Sequence, residues 1–178
     1  MKKTLLSLAI ASLAAGQSVC AAVEKVYNEP DSVYIFSYAH PEDEGSSGLK
    51  FAWSPDGDKW LSVSDGFAYL KCDFGRWGAE KRMIKPLLEK AEDGRWYCRW
   101  QLTPSGKVWG TSHSSDLLKW APQQYVNAEK PAVPRLVTAR QIVLDKDTLN
   151  GYMQKVPYAD IEQLIRFAEH KKFRDIQN

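Results

Sequence analysis

The 178-residue chain predicts a mainly β fold of antiparallel, blade-like sheets, finished by a C-terminal β-hairpin and an α-helix. Three observations carry this. From Val33 to Val126, short β-branched and aromatic runs are separated by Gly, Pro, Asp and Ser clusters, which is the texture of antiparallel strands. Within that region a turn sequence occurs twice: Ser54-Pro55-Asp56-Gly57-Asp58-Lys59-Trp60 returns sixty positions later as Ser114-Ser115-Asp116-Leu117-Leu118-Lys119-Trp120, with Ser, Asp, Lys and Trp at the same four offsets. After Pro157 the apolar period becomes helical, with Ile161, Leu164, Ile165 and Ala168 on one face and Glu162, Arg166, Glu169 and Lys172 on another.

The chain opens on Lys2 and Lys3, an apolar run from Leu5 to Ala15, and small residues at cleavage spacing in Val19-Cys20-Ala21-Ala22. This is the pattern of a secretory signal peptide over residues 1–22, and the run is too short to span a bilayer. The mature chain is therefore expected to be secreted or periplasmic, with no transmembrane segment. Losing Lys2 and Lys3 leaves 22 basic residues against 22 acidic ones, so the mature formal charge is zero and nucleic acid is not an expected partner. Cys72 and Cys98 remain, either bridged in an oxidising compartment or buried as separate thiols.

Val33–Tyr38 reads as the first strand, ending at His40-Pro41 and the acidic, Gly/Ser-rich loop 42–48. Leu49–Trp53 is the second, joined through Asp56-Gly57 to a third that begins at Trp60. In both twin turns the Ser and Asp side chains are expected to accept free backbone N–H groups, with Trp60 and Trp120 as structural covers. The passage 65–80 is loop-like, with one short strand near Phe67–Lys71 and with Trp77 beside Arg76 on an exposed loop. Strands at Met83–Leu88, Trp96–Leu102, Val108–His113 and Gln124–Val126, with turns at Glu92-Asp93-Gly94 and Thr103-Pro104-Ser105-Gly106, make one complete up-and-down unit. Val33–Val63 supplies only three strands of a second. Such units repeat around an axis in β-propellers, so residues 23–126 read as an incomplete propeller-like repeat. A proline-restricted linker over 127–135 leads to the segment 136–178: a hairpin of Val137–Leu144 and Gly151–Val156 connected across 145–151, a stretch ending with Asn150-Gly151, then a helix with Pro157 in its first turn.

These residues resemble a known family. The run Tyr34-Ile35-Phe36-Ser37-Tyr38, followed by Gly48-Leu49-Lys50-Phe51-Ala52-Trp53-Ser54 and the Asp56-Gly57 turn closed by Trp60, is similar to the opening of bacterial glycoside hydrolase family 43 proteins, which are five-bladed propellers. The second unit resembles their first blade, with Met83-Ile84-Lys85-Pro86-Leu87-Leu88 as its inner strand. The resemblance covers Val33 to Val126. It implies a carbohydrate-directed protein, and it also implies a defect. Such enzymes carry a general-base Asp in an Arg-Asp-Pro tripeptide on that strand, where this chain has Ile84-Lys85-Pro86. A lysine cation has no lone pair with which to accept a proton from water, and the later blades that would bring further carboxylates are missing.

The expectation is thus a secreted, glycosidase-like protein without catalytic residues that binds carbohydrate or a protein partner, with Trp77, Arg76 and Lys85 as candidate ligand-binding residues. Its 7 Trp, 8 Tyr and 6 Phe suit stacking on sugar rings. The alternatives are an active arabinosidase- or xylosidase-like hydrolase using other carboxylates among Asp31, Asp65, Asp73 and Glu80, and a structural protein that assembles with itself or another subunit. No cofactor is expected. No metal is expected either, because Asp56 and Asp58 lack further calcium ligands and His40, His113 and His170 lack ligand spacing.

Overall fold

The computed structural model describes residues 29–64, 66–75, 81–104, 107–127 and 132–177, with the backbone alone for 172–177. The leader, Arg76, Trp77, Asp65 and Glu80 lie outside the described residues.

Among the described residues nine strands form two antiparallel sheets, accompanied by one 3-10 turn and one α-helix. The strands are β1 (Ser32–Tyr38), β2 (Lys50–Ser54), β3 (Leu61–Ser62), β4 (Ile84–Lys90), β5 (Trp96–Gln101), β6 (Val108–Ser114), β7 (Gln124–Asn127), β8 (Val137–Leu144) and β9 (Asp147–Pro157). The helix is α1 (Glu162–Gln177). The second sheet is the expected meander, in the order β4-β5-β6-β7. The first has the order β3-β2-β1-β9-β8, so the C-terminal hairpin supplies the strands that the first unit lacked, with β9 running antiparallel to β1 from Ser32↔Pro157 to Tyr38↔Gly151. The passage near Phe67–Lys71 contributes a single bridge, Leu49↔Leu70, rather than a strand.

Two features of the C-terminal segment differ from the sequence reading. The hairpin turns at Asp145-Lys146, where Asp145 takes a left-handed φ of 56°, and Asn150-Gly151 lies in mid-strand. Gly151 serves close approach: a Cβ there would sit 2.3 Å from the Ser37 carbonyl oxygen and 2.6 Å from the Phe36 ring. Pro157 ends β9 in an extended conformation (ψ 140°), and the 3-10 turn Tyr158–Asp160 separates it from the helix.

The main core lies between the sheets. From the first it takes Val33, Ile35, Phe51 and Val156, and from the second Leu88, Trp96, Cys98 and Trp100. Strict alternation on β5 buries Trp96, Cys98 and Trp100 and leaves Tyr97 and Arg99 partly open. Across the β5–β6 ladder Trp100 faces Gly110, where an added Cβ would lie 2.2 Å from the indole. The helix and Ile161 just before it close one side of this core, with Leu164, Ile165 and Ala168 from the helix, the four residues the helical periodicity singles out. Cys72 and Cys98 are both buried as free thiols, not bridged.

A smaller core of Phe36, Tyr38, Ala52, Ile142, Leu144 and Leu149 covers the other face of the first sheet. That sheet is strongly curled. Strands spaced about 4.8 Å apart would put β3 and β8 roughly 19 Å apart if the sheet were flat. Instead Arg140 on β8 lies 3.8 Å from Asp58 in the β2–β3 turn, and Tyr38, Lys50 and Ser62 face Leu144 and Leu149 across a narrow cleft. β3 and β8 approach without pairing.

The twin turns share one hydrogen-bond plan. Ser54 Oγ accepts from Gly57 N (2.8 Å) and donates to Asp56 Oδ1, which itself accepts from Asp58 N and Lys59 N. Ser114 Oγ accepts from Leu117 N (2.9 Å) and donates to Asp116 Oδ1, which accepts from Leu118 N and Lys119 N. The N–H groups of Lys59 and Asp58, with the Ser54 hydroxyl, hold the Asp56 carboxyl down to about 2. At Asp116 burial alone would raise the carboxyl, but the Lys119 and Leu118 N–H groups and Ser114 outweigh it and lower it. Gly57 (φ 86°) and Leu117 (φ 64°) occupy the same left-handed position. Trp60 and Trp120 are only half-buried: Trp120 Nε1 donates to Leu117 O at 3.2 Å, while Trp60 packs beside Phe36. Among the described residues the fully buried tryptophans are Trp96 and Trp100, because β5 points them into the space between the sheets.

Candidate functional site

Of the three sequence-predicted binding residues, Lys85 is the one within the described structure, and it lies at an irregularity. Pro86 has no N–H to give the ladder, and the β4–β5 register shifts between Ile84 and Leu87. Lys85 sits in that bulge with φ 50°. The bulge is pinned from the other sheet by Ser37 Oγ, which donates to Pro86 O at 2.9 Å. A second tie between the sheets runs from Lys90 N to Gln154 Oε1 (3.2 Å), and Lys90 also forms an ion pair with Asp160.

Between this bulge and the C-terminal hairpin is an open cleft of about 570 Å³, lined by Lys85, Ala139, Arg140, Gln141, Asn150, Gly151 and Tyr152. The register explains the lining. Ala139 is opposite Tyr152 and Gln141 opposite Asn150, so these four project to the face that carries Val33, Ile35 and Ser37. Gln141 Nε2 donates to Asn150 Oδ1 at 3.1 Å, which fixes the amide pair and leaves the Asn150 NH₂ and the Gln141 carbonyl oxygen open to a ligand. Burial pushes the Tyr152 phenol up, so it remains a neutral O–H donor. Arg140 borders the cleft, but its guanidinium is on the opposite face with Met153 and Asp58. No carboxylate lines this cleft among the described residues.

A second cleft of about 300 Å³ lies where Trp53 and Trp60 meet Leu61, Asp145, Ile165 and Glu169. Its indoles are engaged within the protein, Trp60 with Phe36 at 5.5 Å between centroids and Trp53 with Tyr158 at 6.2 Å. Of the alternative carboxylates, Asp31 precedes β1, where its carbonyl accepts from Tyr158 N, and Asp73 accepts from Tyr125 OH beside β7. These two stand by different sheets. No group of three His, Cys, Asp or Glu side chains that could hold a metal ion occurs among the described residues, and no described helix is long and apolar enough to cross a membrane.

Gln141, Asn150 and Tyr152 were not singled out by the sequence reading. Their signal was the period-2 alternation of β8 and β9, but the expected connection over 145–151 left Asp147–Asn150 out of the strand, whereas the turn takes only Asp145-Lys146. The chain matches no family model, no curated protein and no solved structure.

Proposed function

We propose that the chain is a secreted, glycosidase-like protein that binds an oligo- or polysaccharide and does not hydrolyse it, its two sheets being blades of an incomplete propeller-like repeat. The observation that carries this reading is the cleft at Lys85. It offers an aromatic ring, a fixed amide pair and a lysine in an open trough, a combination suited to a ligand dense in hydroxyl groups with apolar C–H faces. Lys85 stands where the resembled family carries its general base. Hydrolysis with retention or inversion needs two carboxyl groups at a defined separation, and the lining of this cleft supplies neither.

The test is a glycan array, followed by calorimetry, on the chain from Val23 onward with Tyr152→Ala and Asn150→Ala beside it. Binding by the wild type, weakened by about tenfold in each variant through loss of one stacking or hydrogen-bonding group, is the expected result. Release of reducing sugar that disappears when one of the chain's own carboxylates is mutated would instead make it a hydrolase. A second reading, a protein partner or second copy, is favoured by the unpaired outer edge of β8, where Val143 is 65 % and neighbouring Leu136 73 % exposed. A mass that rises with concentration, without glycan binding, would select it.

A further inference from the structure

We infer that the ligand of this cleft is an anionic saccharide, a chain bearing uronate carboxylates, and that Lys85 selects it; the inference rests on the saccharide-binding reading. Four non-glycine residues have left-handed φ among the described residues: Glu44, Lys85, Leu117 and Asp145. Three have local reasons. Glu44 is in the turn that brings Gly45 against Met83, Leu117 buries its side chain completely, and Asp145 forms the two-residue hairpin turn. Lys85 differs. It precedes proline, a position pushed towards extended backbone, and its side chain is exposed, without an ion pair among the described residues. Glycine would build the same bulge and the same Ser37–Pro86 contact without that strain. What lysine adds is a cation on the cleft wall.

The rest of the lining completes the argument. The other charged residue on the wall, Arg140, is turned to Asp58, and among the described residues no acid lines the cleft beside Lys85. The groups free to meet a ligand are the Lys85 ammonium and the Asn150 NH₂, which only donate, the Tyr152 O–H, which donates or accepts, and the Gln141 carbonyl oxygen, which accepts. A site so rich in donors fits a carboxylate, which only accepts, better than a hydroxyl, which must also donate. The class is therefore a uronate-bearing oligosaccharide.

The experiment compares oligogalacturonate with its fully methyl-esterified form, the same chain without charge, by calorimetry on the mature protein. The acid form should bind about fivefold tighter at low salt, the size expected of one exposed ion pair, and the difference should fade in 0.5 M NaCl. Lys85→Met should remove the preference of acid over ester. Lys85→Gly should do the same and raise the melting temperature, because it relieves the backbone. Equal binding of acid and ester by the wild type, or a preference that survives in Lys85→Met, overturns the inference and leaves the saccharide reading standing. If neither form binds, nor any neutral glycan on the array, the saccharide reading itself fails.

Discussion

Leu117 offers the sharpest test of how the twin turns work. It is fully buried, yet its φ of 64° belongs to a region that costs a side-chain-bearing residue about 1–2 kcal/mol, and its counterpart in the other turn is Gly57. Truncating the side chain should cost about 2–5 kcal/mol for Leu117→Ala, from lost burial and the cavity left behind. Leu117→Gly loses the same side chain and one methyl more, but it releases the left-handed strain, so it should be the more stable of the two by about 1 kcal/mol. That inverts the usual order, in which glycine is worse than alanine by about 0.5–1 kcal/mol. Urea unfolding of the chain from Val23 onward, followed by tryptophan fluorescence, measures both variants directly. For a domain of this size the gap corresponds to about 2–4 °C in Tm. If Leu117→Ala is as stable as Leu117→Gly or more so, the side chain is not being held against its backbone preference, and the equivalence with Gly57 is wrong.

Three further outcomes follow from the packing and the charges. Gly110→Ala should destabilise by at least about 1–3 kcal/mol, since its Cβ meets the Trp100 indole at 2.2 Å; a Tm within a degree of wild type would show that the ring can move aside. The Asp56 and Asp116 carboxyls have folded-state values below their ordinary 3.8, so the stability they add is fully present above about pH 4 and lost as pH falls below it, for Asp56 towards about 2. Denaturation midpoints measured from pH 6 to pH 2 should show this loss, and Asp56→Asn with Asp116→Asn should flatten it. Cys98, buried and with its thiol pushed far up by desolvation, should resist a thiol reagent at neutral pH in the native protein and react on unfolding; rapid native labelling, mapped to Cys98 by peptide analysis, would place that strand at the surface.

Local patterns made much of the architecture legible, because local physics decides them. Alternation on Trp96–Gln101 buries three residues on one side whatever lies beyond. The Ser-x-Asp pairs at 54 and 114 can form their turns from their own side chains, and the helical period after Pro157 marks Ile161, Leu164, Ile165 and Ala168 wherever the helix docks. The partner of β1 was not legible in the same way. An edge strand's free N–H and C=O groups accept any antiparallel neighbour, and β9 follows more than a hundred residues later, so only the packed chain selects it.

The candidate site divides along the same line. By itself the sequence determined that a cation, Lys85, stands directly before Pro86 in a strand-forming run. Tertiary structure decided what faces that lysine. The turn at Asp145-Lys146 set the phase of the hairpin, and the close passage of Gly151 beneath Phe36 and Ser37 fixed its register on β1. Since side chains in a strand alternate with period 2, a slip of one residue would have turned Gln141, Asn150 and Tyr152 to the opposite face. Their place beside Lys85 is a consequence of long-range register, which no local pattern in the chain encodes.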